Sequence, residues 1–324
     1  MALLGIDIGG TKIAAALFTE DGSIISKWSV LLRDKKGSEV GSLIKKQIIF
    51  AMKSEELKGE HINSIGISVP GISYKESGIV WAPNIPGWDN YPLLDDISIV
   101  TTDIPVTIDS DRACHLLGEF WMGNARGYKN VIFMAVGTGI GAGIMVNGEI
   151  LRGSNDIAGS IGWMALSEPF KAKYTECGCF EYHASGEGIA KVARAYLRDD
   201  KDYNGELRDK KINDISSLDI MTAYRNKDIL AIKVIEEAIR FWGMAAANLV
   251  SIFNPEKIIF GGGVFGPAKE FLPRIRKESL KWAQPVSIKK VTFDTSALGS
   301  DAGLYGAAYL ALESLPNKES MKNA

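Results

Sequence analysis

The feature that most constrains this chain is a strand, glycine turn and strand unit that occurs twice. Leu3 to Ile8 is an apolar run carrying one acid, Asp7, and after Gly9-Gly10-Thr11 a second apolar run extends from Lys12 to Phe18. Asp21-Gly22 is a hairpin signal, so Ser23 to Val30 reads as a third strand. The pattern returns at Val131 to Val136, followed by the glycine-rich Gly137 to Gly143 and a strand from Ile144 to Ile150 that turns at Asn147-Gly148. Two such halves suggest an internally duplicated fold with a nucleotide held between them.

Between the meanders, Ser38 to Lys53 has apolar residues at helical spacing (Val40, Leu43, Ile44, Ile48, Phe50), and Ile62 to Val69 is a buried strand stopped by Pro70-Gly71. Residues 71 to 92, rich in Gly, Pro, Asn and Trp, read as a loop with recognition chemistry. A strand at Val106 to Asp109 leads into a helix at Asp111 to Met122. In the second half, helices are expected at Glu187 to Leu197 and Asp228 to Phe253. The latter is apolar nearly all round from Phe241 on, so that part should be buried. The charged stretch 198 to 211 reads as a solvated loop. Lys257 to Phe260 is a strand running into Gly261-Gly262-Gly263, and a helix from Ala268, a strand near Val291 and a helix from Ala302 follow. Alternating strands and helices indicate an α/β fold.

Composition narrows the function classes. A length of 324 residues allows two domains, and 46% apolar with 23% charged residues is the mix of a soluble globular protein. A net charge of −2 argues against nucleic acid as a partner. No apolar run has the length of a membrane span, and Met1 leads into a strand with no secretory pattern. Three cysteines (Cys114, Cys177, Cys179) make no disulfide framework, so a cytoplasmic location is expected.

The turns carry the chemistry. Gly9 and Gly10 let backbone N–H groups close on a phosphate, Thr11 and Lys12 add a hydroxyl and a charge, and Asp7 can hold a hydrated Mg²⁺ ion. The turn leads into a strand, so it is not a Walker loop. Gly137-Thr138-Gly139 is a second such turn. Gly261-Gly262-Gly263, between a strand and a helix, suits the flat face of an adenosine. Taken singly, each reads as well as a hairpin, a bulge or a tight connection; the three in this order, with an acid before the first, are far more specific. Asp111 stands where a strand ends and a helix opens, and a carboxylate there points into whatever cleft the sheet borders. It fits the base that a hydroxyl acceptor needs for phosphoryl transfer. On its own it reads more readily as a helix N-cap, and Asp109 and Ser110 compete for the assignment.

With these motifs in place, the sequence resembles the ROK family (repressors, open reading frames and kinases) from Gly5 to about Ala308. Its enzymes are sugar kinases with a two-lobed actin/hexokinase-type ATPase fold built from ribonuclease H-like halves. The Asp7–Lys12 turn matches the first phosphate motif, Gly137–Gly143 the second, and Gly261–Gly263 the adenosine motif. Asp111 falls at the family's catalytic Asp, in register with Leu117-Gly118-Glu119. Pro70-Gly71 and Ala82-Pro83-Asn84 match the sugar-loop pattern, which gives Gly71 and Asn84 a sugar contact. Gly178-Cys179-Phe180-Glu181 matches the end of the zinc motif, which gives Glu181 another. The resemblance implies ATP and Mg²⁺ as cofactors and a homodimer. It also implies a smaller lobe of residues 1–110 plus 300–324 and a larger one of 111–299. Family repressors carry a DNA-binding domain before the first phosphate turn; four residues precede Gly5, so the chain is not expected to bind DNA on its own.

The departures are specific. The sugar-binding Asn before the catalytic Asp is Ser110. The signature Ala-Gly-Glu-x-Gly-His reads Ala158-Gly159-Ser160-Ile161-Gly162-Trp163, so Ser160 replaces a sugar-gripping Glu and Trp163 replaces a His that serves both sugar and zinc. Trp163 either offers a pyranose an aromatic face or fills the space of the lost zinc loop. Of the three zinc cysteines only Cys179 stands in place; Ala172 and Tyr174 occupy the others. No structural zinc is therefore expected. The implied activity is ATP-dependent phosphorylation of a small sugar, a hexose or hexose derivative. The alternative is a sugar-sensing binding protein of the same family without catalysis.

Overall fold

The computed structural model describes residues 1–315, which form two compact units. The first comprises Met1–Gly127, Ile150–Ala158 and residues 300–315; the second comprises Tyr128–Glu149 and Gly159–Gly299.

The first unit is built on a sheet of β1 (Ala2–Ile8), β2 (Lys12–Thr19), β3 (Ile24–Leu31), β4 (Ile62–Val69) and β7 (Val106–Ser110), in the order β3-β2-β1-β4-β7. β1, β2 and β3 are antiparallel, as their tight turns require, while β4 runs parallel to both β1 and β7. β1 and β2 are nearly continuous apolar runs because both faces are covered; β4 is as deeply buried but carries Asn63, Ser64 and Ser68, and β3 alternates as an edge strand. The loop expected at 71 to 92 contains a small hairpin of β5 (Ile72–Tyr74) and β6 (Ile79–Trp81), strands too short to display a period. Helices α1 (Ser38–Met52), α2 (Leu93–Thr101) and α3 (Asp111–Met122) complete the unit with helix Ala302–Glu313.

The second unit repeats the order. β8 (Val131–Val136), β9 (Ile140–Val146), β10 (Glu149–Ile150), β11 (Lys257–Gly261) and β12 (Thr292–Thr295) lie as β10-β9-β8-β11-β12, with β8 and β9 antiparallel and β11 parallel to β8 and β12. The second glycine turn is shorter than expected. β9 already begins at Ile140, with Gly141 opposite Ala135 and Gly143 opposite Phe133, so only Gly137 to Gly139 remain as the turn. The helices are α4 (Cys179–Ala184), α5 (Gly186–Asp199), α6 (Ser217–Arg225), α7 (Ile229–Phe253), α8 (Leu272–Ser279) and α9 (Ser287–Lys290). α7 starts on the Asp228 cap, which accepts the Ala231 N–H at 2.9 Å, and stops at Asn254 in the left-handed region. From Phe241 to Val250 it is almost wholly buried, as its sequence requires, but the last turn departs from the expectation: Ser251 and Ile252 are exposed and Phe253 is only partly buried. No helix among the described residues is long and apolar enough to cross a membrane.

The division falls elsewhere than after Ser110. α3 stays with the first unit because it lies backbone to backbone on helix Ala302–Glu313: a Cβ on Gly306 would sit 1.8 Å from the Cys114 carbonyl oxygen. On the sheet side, a Cβ on Gly66 of β4 would sit 1.7 Å from the Ala307 carbonyl oxygen. Residues 150–158, expected in the larger lobe, also belong to the first unit. Residues 316–324, expected in the smaller one, lie outside the described residues. Gly66→Ala must push helix Ala302–Glu313 off the sheet. Overpacking of this kind costs about 1–3 kcal/mol, to be read as a lowered denaturation midpoint of the folded chain.

Candidate functional site

Ser110 ends β7 and caps α3, its Oγ accepting the Ala113 N–H at 3.4 Å. The cap is therefore the residue before Asp111, and the Asp111 carboxylate opens the helix without that duty. Asp109 is committed as well. It is 3% exposed, its two oxygens accept from Arg152 Nη1 and Nη2 at 2.7 and 2.6 Å, and Oδ1 also accepts the Ser110 N–H at 2.8 Å. Of the three candidates, Asp111 alone has a carboxylate directed to neither a cap nor an ion pair.

Its surroundings shift its ionisation. Burial lifts the Asp111 carboxyl above its ordinary range; His115 and Arg112 counter this, and the negative charge of Asp7 adds to it. Asp7 comes from the end of β1, its carboxylate resting on the Cα of Gly303, where a Cβ would approach Oδ2 to 2.8 Å. His115 follows Asp111 by one turn of α3, a spacing that places both on one face. Arg112 reaches back, with Nη2 donating to the Gly71 carbonyl at 3.3 Å and Nη1 to that of Ile157 at 3.5 Å. Gly71 is thus tied to the residue next to Asp111. Asn84 lies beside the first glycine turn, where a Cβ on Gly10 would stand 4.0 Å from its own. That turn is closed by the Gly9 N–H on the Lys12 carbonyl at 2.9 Å, and it leaves Gly10, Thr11 and Lys12 exposed.

The second unit gathers the remaining residues. The Gly137 N–H donates to Gly139 O at 2.9 Å, and the start of α5 closes on this turn through the Gly186 N–H to Gly137 O at 2.8 Å. A Cβ on Gly186 would be 3.3 Å from Val264, so the same helix start touches the segment after Gly261-Gly262-Gly263. Thr138 is exposed beside it. Glu181 projects from α4 onto these turns: Oε2 accepts the Ile140 N–H at 2.6 Å, and the carboxylate rests against Gly139 and Gly162. Burial raises its carboxyl above the usual range, opposed by the Ile140 N–H and Lys191. The turn Ser160–Trp163, held by the Trp163 N–H on Ser160 O at 3.2 Å, runs alongside. Trp163 is 58% exposed and lines a cavity of about 1020 Å³ with Phe170, Tyr174 and Cys179. Its ring is presented to a cavity and does not plug the core.

Asp7, a partly exposed carboxylate beside an exposed phosphate-type turn, fits a hydrated Mg²⁺ ion. A structural zinc does not fit the motif that would hold it. Trp163 and Ala172 offer no ligand atom, and the Tyr174 hydroxyl is engaged with His183 Nε2 at 2.8 Å. Among the described residues no group of three or more His, Cys, Asp or Glu is placed to hold a metal. The sequence reading missed Arg152, Arg112, His115 and His183. His115 was readable, four residues after Asp111 on the same helix. Arg152 was not, because its partner is 43 positions away.

Fold and site together define a two-lobed α/β ATPase of the actin/hexokinase-like class, each half built on the same five-strand order. Within that class the chain belongs to the ROK family, whose model matches residues 3–314. It is 34% identical over 315 residues to a glucokinase of Halalkalibacterium halodurans, covering 95% of this chain and 94% of that one. It is 30% identical over 325 residues to an N-acetyl-D-glucosamine kinase of Histophilus somni, covering 95% and 98%. Among solved structures, a ROK family glucokinase from Streptomyces griseus in complex with glucose and AMPPNP superposes with a TM-score of 0.78 at 29% identity, covering 97% of this chain and all of that one.

The Asp109–Arg152 pair offers a direct test of what holds the strand end before Asp111. Arg152→Met strands a buried carboxylate and should cost about 2–3 kcal/mol, below the range for a fully buried pair because the Arg152 side chain is 29% exposed. The double substitution Asp109→Leu/Arg152→Met should recover most of that loss in a denaturant titration.

Proposed function

We propose that this sugar kinase transfers the γ-phosphoryl group of ATP to a hydroxyl of a hexose or hexose derivative, with Asp111 as the general base. The observation that carries the reading is the pairing of Asp111 with Asp7. The former is a carboxylate relieved of capping and made more basic by burial; the latter is a second carboxylate at the first phosphate turn.

Asp111 takes the hydroxyl proton as the oxygen attacks in line, and the raised affinity of its carboxyl for a proton strengthens it as a base. Gly9 and Gly137, whose own N–H groups close their turns, leave the backbone N–H groups of Gly10, Thr138 and Gly139, with the Thr11 hydroxyl and Lys12, to orient the phosphates, and Gly261 to Gly263 face the adenosine. Mg²⁺ held through water by Asp7 would neutralise charge on the transferring group. Gly71, Asn84, Ser110 and Glu181 orient the sugar, with Ser160 and Trp163 at its edge. Ser160 reaches less far than the Glu of the family signature, and a lost buried hydrogen bond costs about 1–3 kcal/mol, so the preferred sugar differs from that of glucokinases with the full signature. A sugar sensor without catalysis would need the sugar residues alone; an uncommitted Asp111 beside Asp7, with three nucleotide turns, favours the kinase.

Coupled ADP release over hexoses, N-acylated hexosamines and rarer epimers should find a substrate. On it, Asp111→Asn should fold and bind ATP while kcat falls by at least about 10²-fold; a near-normal rate rejects the assignment. Because the Asp111 carboxyl is raised, kcat/KM should fall on the acid side with a limb above the ordinary Asp value of about 3.9. The same shift has a stability sign. A group whose folded pKa is raised contributes stability at low pH and loses it as pH rises through that value, so ionised Asp111 destabilises the fold at neutral pH. Asp111→Asn should therefore melt above the unsubstituted chain at pH 7.

A further inference from the structure

α4 has only six residues, and a helix so short has little stability of its own, so its place is set by what its two faces touch. Glu181 points one way, onto Gly139, Ile140 and Gly162. His183, two residues on and so about 200° round the helix, points the other. On that side its Nδ1 bonds Glu237 Oε1 at 2.5 Å, its Nε2 meets the Tyr174 hydroxyl at 2.8 Å, and its ring stacks on Phe241 at 4.4 Å. The Tyr196 hydroxyl donates to Glu237 Oε2 at 2.7 Å. Tyr174, His183 and Glu237 are 4%, 8% and 9% exposed.

Protonation along this chain is internally consistent. Burial opposes ionisation of Glu237, but the bonds from His183 and Tyr196 outweigh it and hold the carboxyl below the usual range. Glu237 therefore accepts on both oxygens, and His183 Nδ1 carries the proton. In a neutral ring this leaves Nε2 to accept from Tyr174, whose hydroxyl burial keeps protonated. Tyr196 is pushed up to about 12 by burial and by its bond to Glu237, so it too remains a donor. A buried network with every member satisfied rigidifies what it joins. This one joins the loop before α4, α4 itself, α5 and α7, and none of its members has a part in the proposed chemistry. Tyr174, moreover, stands at a position where the family's zinc motif has a cysteine.

We propose that the chain Tyr174–His183–Glu237–Tyr196 is a positioning element for sugar recognition, pinning the back of α4 so that Glu181 is presented to the sugar, with hydrogen bonds in place of a metal cross-link. The proposal rests on the kinase reading and on the sugar role given there to Glu181. Its test is steady-state kinetics of folded Tyr174→Phe and Glu237→Gln, varying sugar at saturating ATP and then the reverse. The sugar KM should rise about tenfold in each, as one lost buried hydrogen bond implies, with kcat and the KM for ATP within about twofold. His183→Ala should be worse, and added imidazole should lower its sugar KM. A network that merely stabilises the fold would lower the melting temperature without this split. A sugar KM unmoved in both isosteric variants, or a KM for ATP rising in step, overturns the proposal. No sugar turnover by the unsubstituted chain would overturn the kinase reading and this one together; turnover by the unsubstituted chain with unmoved variants sinks this one alone.

Discussion

The geometry of the two paired acids depends on a backbone contact that only glycine permits. Asp7 stands on β1 and Asp111 on α3, and both elements pack against helix Ala302–Glu313, which carries neither acid. Gly303 faces the Asp7 carboxylate and Gly306 faces the Cys114 carbonyl of α3, while Gly66 admits the helix backbone to the sheet. Burial is the main reason the Asp111 carboxyl is lifted, and the negative charge of Asp7 adds to it, so an ionised Asp111 costs the fold free energy. The helix supplies a compensating contribution. Its buried residues (Leu304, Ala307, Ala308, Leu310, Ala311) hold β1 and α3 in place. Function and stability are set against each other at this point, as they commonly are where a site must hold an uncomfortable group.

The duplicated sheet works as a chassis, with the recognition residues in what is inserted into it. In the first unit the segment between β4 and β7 brings Gly71 and Asn84; in the second, the longer segment between β10 and β11 brings Ser160, Trp163 and Glu181. The turns between the first two strands of each sheet are the repeated part: Gly9–Lys12 in one, Gly137–Gly139 in the other. A tight antiparallel turn leaves backbone N–H groups with no ladder partner, which makes it the natural place for a phosphate in both copies.

What the sequence disclosed follows from this division. β1, β2 and β8 could be read because a strand buried on both faces is a continuous apolar run bounded by Gly, Pro or Asp-Gly, β4 because its isoleucines run up to Pro70-Gly71, and α7 because twenty-five residues give a helical period room to show. β5, β6 and α4 could not, since three to six residues do not display a period. The glycine turns and Asp111 could be proposed as chemistry from the sequence because each proposal rests on adjacent residues. Arg152 on Asp109 and His183 on Glu237 were not, because each joins residues more than forty positions apart and neither partner has a local pattern. The family motif puts Asp111 ahead of Asp109 and Ser110; what the structure adds is that Asp109 is paired with Arg152 and that the Ser110 hydroxyl accepts the Ala113 N–H at the helix start.

The region around α4 shows how a fold can keep its shape after losing a ligand set. A tetrahedral metal holds four side chains by strong bonds of fixed geometry, so deleting even two ligands removes the whole cross-link. Here Trp163 and Ala172 have no ligand atoms, and Tyr174 has turned its hydroxyl to His183, which α7 anchors through Glu237 and Phe241. A hydrogen-bonded chain is weaker per bond than a metal centre, but it needs no bound ion and is embedded in aromatic packing on both sides, Tyr182 on one and Phe241 on the other. Its members interlock: the ionised Glu237 fixes the tautomer of His183, and that tautomer selects a donor at Tyr174. The loop from Trp163 to Gly178 can therefore present an exposed indole toward the cavity while its base stays tied to the core of the second unit.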